Sequence, residues 1–102
     1  MQRISAARQR HNEVLITPEF LIEMLVEQGG NCALSGRKLT RQRGDLAKAS
    51  IDRMSPAKGY TPDNVRLVSW AVNRMRNSMT DAEFRGWVMA LANTPNPADT
   101  VS

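Results

Sequence analysis

The stretch from Ala49 to Met79 constrains this chain more than any other. It holds two short segments rich in apolar or β-branched residues, Ser50 to Met54 and Val65 to Val68, joined by a connection that carries Pro56, Gly59, Pro62 and Asn64. Two such segments bounded by turn residues predict a β-hairpin with a long, ordered loop. From Ser69 onward the period becomes helical, with Val68, Val72, Met75 and Met79 on one side and Ser69, Asn73, Arg76 and Asn77 on another. Strand, long loop, strand and helix, in that order, define the centre of the expected fold.

A helix is predicted on each side of this centre. Thr17, Pro18 and Glu19 supply an N-cap, a proline at the first helical position and a first-turn acid, and Phe20, Leu21, Met24, Leu25 and Gln28 follow at helical spacing until Gly29 and Gly30 end the run. Glu19, Glu23 and Glu27 recur every fourth residue and line one solvent face. Near the other end, Thr80-Asp81-Ala82-Glu83 reads as a capping box, and it opens a helix whose Phe84, Trp87, Val88 and Leu91 form an apolar stripe expected to lie in the core. The fold class is therefore α+β.

With 102 residues there is room for one domain. The expected division is a basic N-terminal arm over 1–16, a domain over 17–92 and a disordered tail over 93–102, where Pro95 and Pro97 stand among few apolar residues. The lone Cys32 excludes an intramolecular disulfide and any zinc site needing several thiolates from one chain, and it points to a reducing compartment. Residues 1–11 lack the apolar stretch of a secretory signal, and no apolar run approaches the ~20 residues of a membrane helix. The expectation is a cytoplasmic protein with no membrane partner.

The chain carries 14 Lys and Arg against 10 Asp and Glu, a net +4. The excess is uneven: Arg3, Arg8 and Arg10 are unopposed in the arm, and residues 35–60 hold Arg37, Lys38, Arg41, Arg43, Lys48, Arg53 and Lys58 against Asp45 and Asp52. Residues 12–34 carry only acids. Clustered cations suit a phosphate backbone, and they equally suit a solvated loop. No glycine-rich phosphate loop is present, nor any serine or cysteine nucleophile with a neighbouring histidine.

Three runs, Ala-Ser-Ile-Asp-Arg-Met (49–54), Lys-Gly-Tyr-Thr-Pro-Asp-Asn-Val (58–65) and Ala-Val-Asn-Arg-Met-Arg (71–76), together resemble the HNH endonuclease family in its phage and bacterial branch. Gly-Gly-Asn-Cys-Ala-Leu-Ser-Gly (29–36) resembles the knuckle that precedes the catalytic hairpin in that family. The resemblance implies a small ββα-metal fold, in which the hairpin with its long loop packs on a helix and one divalent ion sits between them. Asp52 and Asn73 would be the metal ligands, and Asn64 would bond backbone and fix the loop. Carboxylate and amide oxygens are hard donors suited to Mg2+ or Mn2+. The implied activity is metal-dependent DNA endonuclease action, with Asp52, Arg53, Asn64 and Asn73 at the catalytic site and Lys48, Arg53, Lys58, Arg74 and Arg76 on DNA. A chain this small is expected to need a homodimer or a protein partner to cut both strands.

The chain departs from that family in two places. The residue after the metal-binding aspartate is usually a general-base histidine, and here it is Arg53, which stays protonated and instead suits a phosphate clamp. His11, the sole histidine, lies in the arm. A metal-bound hydroxide, or a water deprotonated by the phosphate, is the remaining route to a nucleophile. In the knuckle, Ser35 and Ser69 stand near the places of partner thiolates, so no structural zinc is expected and Cys32 reads as a small buried residue. Two alternatives therefore stand beside the endonuclease: a catalytically weak or inactive HNH-like nucleic-acid-binding protein, and a module that docks on another protein through the acidic helix.

Overall fold

The computed structural model describes residues 13–95, so Arg3, Arg8, Arg10 and His11 of the arm, and the tail beyond Pro95, lie outside the described residues. Thr17 opens helix α1 (Pro18–Glu27) by accepting the Phe20 N–H on its hydroxyl at 3.1 Å. Gly29 and Gly30 close it with φ of 67° and 77°, the left-handed conformation that costs glycine nothing, and the Gly30 N–H returns to the Leu25 carbonyl at 2.9 Å. Leu21, Met24 and Leu25 of α1 pack on the core, while all three glutamates of the acidic face are exposed.

Strands β1 (Ala49–Arg53) and β2 (Val65–Ser69) pair antiparallel, with Ile51 opposite Leu67 and Asp52 opposite Arg66. The hairpin is the expected one, begun a residue earlier on β1 and extended to Ser69 on β2; Met54 falls outside it and is exposed. Alternation puts Ser50, Asp52, Arg66 and Val68 on one face and Ala49, Ile51, Arg53, Val65 and Leu67 on the other. A two-stranded hairpin is marginal in water by itself, and here both faces are covered. Gln28, just past α1, completes the β2 edge: its Nε2 donates to the Leu67 carbonyl at 2.9 Å and its Oε1 accepts the Leu67 N–H at 3.0 Å. A glutamine side chain stands there in place of a third strand.

Helix α2 (Trp70–Arg76) begins directly at the end of β2, capped by the Ser69 hydroxyl on the Val72 N–H at 3.2 Å. A short turn leads to α3 (Asp81–Ala92), whose capping box is formed: Thr80 accepts the Glu83 N–H at 3.1 Å and Glu83 accepts the Thr80 N–H at 2.9 Å. Among the described residues the architecture is thus a two-stranded antiparallel hairpin with three helices. Val68, fully buried, stands at the centre of a core completed by Cys32, Leu39, Leu67, Val72 and Phe84. None of the described helices is long and apolar enough to cross a membrane.

The apolar stripe of the last helix differs from expectation. Phe84 is buried, but Trp87, Val88 and Leu91 are exposed, Leu91 by 75%. Only the first turns of α3 lie against the body of the domain, so the stripe runs past the core it starts in. Met75 is likewise 57% exposed, on the side of α2 that faces the same apolar hollow between α2, α3 and the 44–47 loop.

Candidate functional site

Alternation along β1 and helical spacing along α2 bring two pairs of residues together. Ser50 and Asp52 project from the same face of β1, and Asn73 and Arg76 lie one turn apart on α2. Asn73 donates from Nδ2 to the Ser50 hydroxyl at 2.7 Å, and Arg76 donates from Nη1 to Asp52 Oδ1 at 2.9 Å. Both residues proposed as metal ligands therefore line one seam between β1 and α2, each already with a partner.

Asp52 is the more committed of the two. It is 3% exposed, its Oδ2 accepts from Arg66 Nε at 2.8 Å, and its Oδ1 accepts from Arg76. Arg66 continues to Asp81 with a bidentate pair, Nη1 to Oδ2 at 2.9 Å and Nη2 to Oδ1 at 2.8 Å. Arg76 Nε closes the circuit on Asp81 Oδ1 at 2.9 Å, and its Nη2 donates to the Met54 carbonyl at 3.2 Å. The result is a ring of two carboxylates and two guanidinium groups, with one residue each from β1, β2, α2 and α3. Fork-to-carboxylate geometry of this kind is the strong form of an ion pair. The Arg66 guanidinium, with Arg76 behind it, holds the Asp81 carboxyl down at about 2. The Asp81 and Asp52 carboxylates in turn raise Arg66 above its ordinary value, against the opposing effect of burial.

This ring tests the donor set that the sequence suggests for a divalent ion. Each oxygen of Asp52 accepts a guanidinium N–H, and a cation placed on either oxygen would stand beside two positive charges in a buried site. The ring is neutral without an ion. In this arrangement the residues do not fit a resident Mg2+ or Mn2+.

The remaining predicted residues divide between scaffold and surface. Asn64 is buried and stitches the hairpin loop: Oδ1 accepts the Ser55 N–H at 2.9 Å, and Nδ2 donates to the carbonyls of Ser55 at 3.1 Å and Gly59 at 2.9 Å. Arg53 lies on the opposite face of β1 from Asp52, with its guanidinium 5.1 Å from the centre of the Tyr60 ring and Nη1 3.4 Å from the carbonyls of Pro56 and Lys58. It braces the loop. Arg76, expected on a DNA backbone, is 3% exposed and spends its donors inside the protein. Lys48, Lys58 and Arg74 are exposed.

At the knuckle, the chain brings Cys32, Ser35 and Ser69 together. Cys32 is buried, and its sulfur accepts the N–H groups of Ser35 at 3.4 Å and Ser69 at 3.3 Å. Burial pushes its thiol up, but these hydrogen bonds outweigh that and leave it below the ordinary cysteine value.

Two residues of the ring, Arg66 and Asp81, were not among the candidates from sequence. Arg66 was within reach, because a register that pairs Ile51 with Leu67 also sets Arg66 across from Asp52. Asp81 carried only its place in the capping box, and nothing there signals that the turn between α2 and α3 folds it back onto the hairpin. Trp70 is 44% exposed and carries the Arg74 guanidinium 5.1 Å from its ring centre, at the edge of a polar cleft lined by Ser50, Asn73, Arg74 and Asn77. Comparison with family models, curated proteins and solved structures finds no match to this chain.

Proposed function

We propose that this chain is a DNA-binding domain of HNH-like ββα build that does not cleave the strand it binds. The observation that carries this reading is the saturation of Asp52: the carboxylate that a nuclease of this type would give to its metal is held on both oxygens by Arg66 and Arg76. The position usually given to the general base is Arg53, which cannot take a proton from water. What the seam between β1 and α2 offers instead is hydrogen-bonding side chains and cations. Lys48 and Arg74 are exposed beside the start of α2, where the Trp70 N–H donates to the Lys48 carbonyl at 2.7 Å, and Lys58 is exposed on the hairpin loop.

Backbone binding by three such cations releases counterions, and affinity should then fall with salt at a log–log slope of about −3 on duplex DNA. The test is a gel-shift titration from low to high salt, with Lys48→Gln, Lys58→Gln and Arg74→Gln each reducing the slope by about one unit. Affinity for DNA that is absent at low salt, or that is indifferent to salt and to all three substitutions, would remove this reading.

A second reading is a metal-dependent DNA endonuclease, and one observation favours it: Asp52 and Asn73 belong to the same seam, joined through Ser50 and Arg76. It requires a guanidinium to leave Asp52.

A further inference from the structure

The polar cleft at the start of α2 has more built into it than backbone binding needs. Trp70 is the first residue of the helix, and its position is set twice by the neighbouring loop: its own N–H reaches the Lys48 carbonyl at 2.7 Å, and that of Ala71 reaches the Leu46 carbonyl at 3.0 Å. One turn on, Arg74 lies over the ring at 5.1 Å, an i, i+4 cation–π pair. A large aromatic side chain is thus left 44% exposed on an anchored backbone, with a cation over its ring. Beside it the cleft, of about 420 Å3, is lined by Ser50, Asn73, Arg74 and Asn77. That volume falls within the roughly 300–1,000 Å3 of ligand clefts in general.

The lining selects among ligands. No carboxylate borders the cleft, so it is not built for a cation, and Trp70 is its one apolar wall. Asn73 has one amide hydrogen committed to the Ser50 hydroxyl at 2.7 Å, and its side-chain oxygen is an acceptor. Asn77 closes α2 at φ 51° and ψ −118°, outside the left-handed helical region, and is exposed with a donor and an acceptor to offer. Donor and acceptor groups beside an aromatic face match the edge and the face of a nucleobase, and the cations at Arg74 and Lys48 match its phosphate.

Resting on the DNA-binding reading above, we infer that this cleft is a stacking subsite for an unstacked nucleobase, so that the partner is single-stranded DNA in preference to duplex. A base paired in a duplex cannot leave its neighbours to lie against Trp70 without unstacking, whereas a single strand presents its faces already. Stacking on an aromatic side chain tolerates every base, so no sequence preference is expected at this position.

The test is fluorescence anisotropy with a labelled oligo-dT strand, a labelled duplex of the same length and a labelled oligo-U strand, on wild-type protein, Trp70→Ala and Trp70→Phe, each checked for folding by circular dichroism. Trp70→Ala should weaken oligo-dT binding roughly 5- to 150-fold, the range expected for loss of one stacked base. Trp70→Phe should restore most of the affinity, and the duplex should respond to neither. Should Trp70→Ala fail to fold, the emission of Trp70 in Trp87→Phe protein decides, with quenching by oligo-dT expected. Oligo-dT binding that is salt-sensitive but unchanged by Trp70→Ala, or lost equally for duplex, overturns the stacking subsite and leaves backbone binding standing. Tighter binding of oligo-U overturns the choice of DNA. Failure of every nucleic acid to bind overturns both readings.

Discussion

At the scale of single residues, the ring is a place where removing one partner leaves a charge behind in the protein. Arg76 and Asp52 are buried, and a buried ion pair is costly to break because the orphaned charge stays in the protein. Arg76→Met should therefore lower stability by about 3–5 kcal/mol, measured by urea unfolding, despite the loss of only one side chain's charge. The same ring gives the domain a pH limit with a definite sign. Asp81 is held at about 2 in the folded protein, below its ordinary 3.8, so its contribution is present above about pH 4 and is lost as pH falls through 2. Thermal melts taken between pH 5 and pH 2 should show the midpoint falling, and Asp81→Asn should shift the whole profile down and flatten that fall. A wild-type profile that is level across this window would contradict the role given to Asp81.

Residue-level legibility followed the range of the interaction. The loop-stitching place of Asn64 is local, within ten residues of both its partners Ser55 and Gly59, and it was expected from the family resemblance of the 58–65 run. Asp52 and Asn73 were correctly set on a strand and a helix that meet. Their partners were not legible, because whether Asp52 faces a metal or two guanidinium groups depends on strand register and on the 77–80 turn, neither of which composition or spacing reports. Arg76 illustrates the difficulty: its place on the polar side of α2 suggested solvent, yet the side of α2 that is polar faces the hairpin's own carboxylate.

At the scale of elements, the Thr17 cap and the two glycines around α1 and the Thr80–Glu83 box of α3 were visible beforehand, whereas Ser69, expected inside the helical run, is the N-cap of α2. The extent of burial was less visible. The stripe on α3 has the spacing of a core helix, but periodicity shows only that a face is apolar, and whether anything covers it depends on how far the neighbours reach. α3 is fastened at its first turns by Asp81 in the ring and by Phe84 in the core, and beyond them Trp87 and Leu91 are exposed. Phe84→Ala should accordingly cost about 3–5 kcal/mol, while Leu91→Ser should change stability by no more than about 0.5 kcal/mol. Denaturant unfolding of the two variants checks this directly. A large loss for Leu91→Ser would mean that the outer half of α3 is covered in solution.

At the scale of the whole molecule, one domain ties two strands and two helices through a neutral ring of charges set where the strand, the helix and the loop converge. Arg66, Arg76 and Asp81 join the hairpin to the helices through their ion pairs with Asp52 and with one another, beside the Asn73–Ser50 hydrogen bond. The junction leaves the outer edge of α2, with Trp70, Asn73 and Arg74, facing solvent beside Lys48.

The most direct measurement is incubation of supercoiled plasmid with the protein in Mg2+ or Mn2+ and in EDTA, resolved on a gel that reports both bound and nicked DNA, for wild type and Asn73→Ala. A domain that binds DNA without cutting it shifts the plasmid and leaves it supercoiled, with binding the same in metal and in EDTA. Nicking that appears only with metal and disappears in Asn73→Ala would contradict it, and would show that Asp52 exchanges its arginines for an ion when DNA arrives.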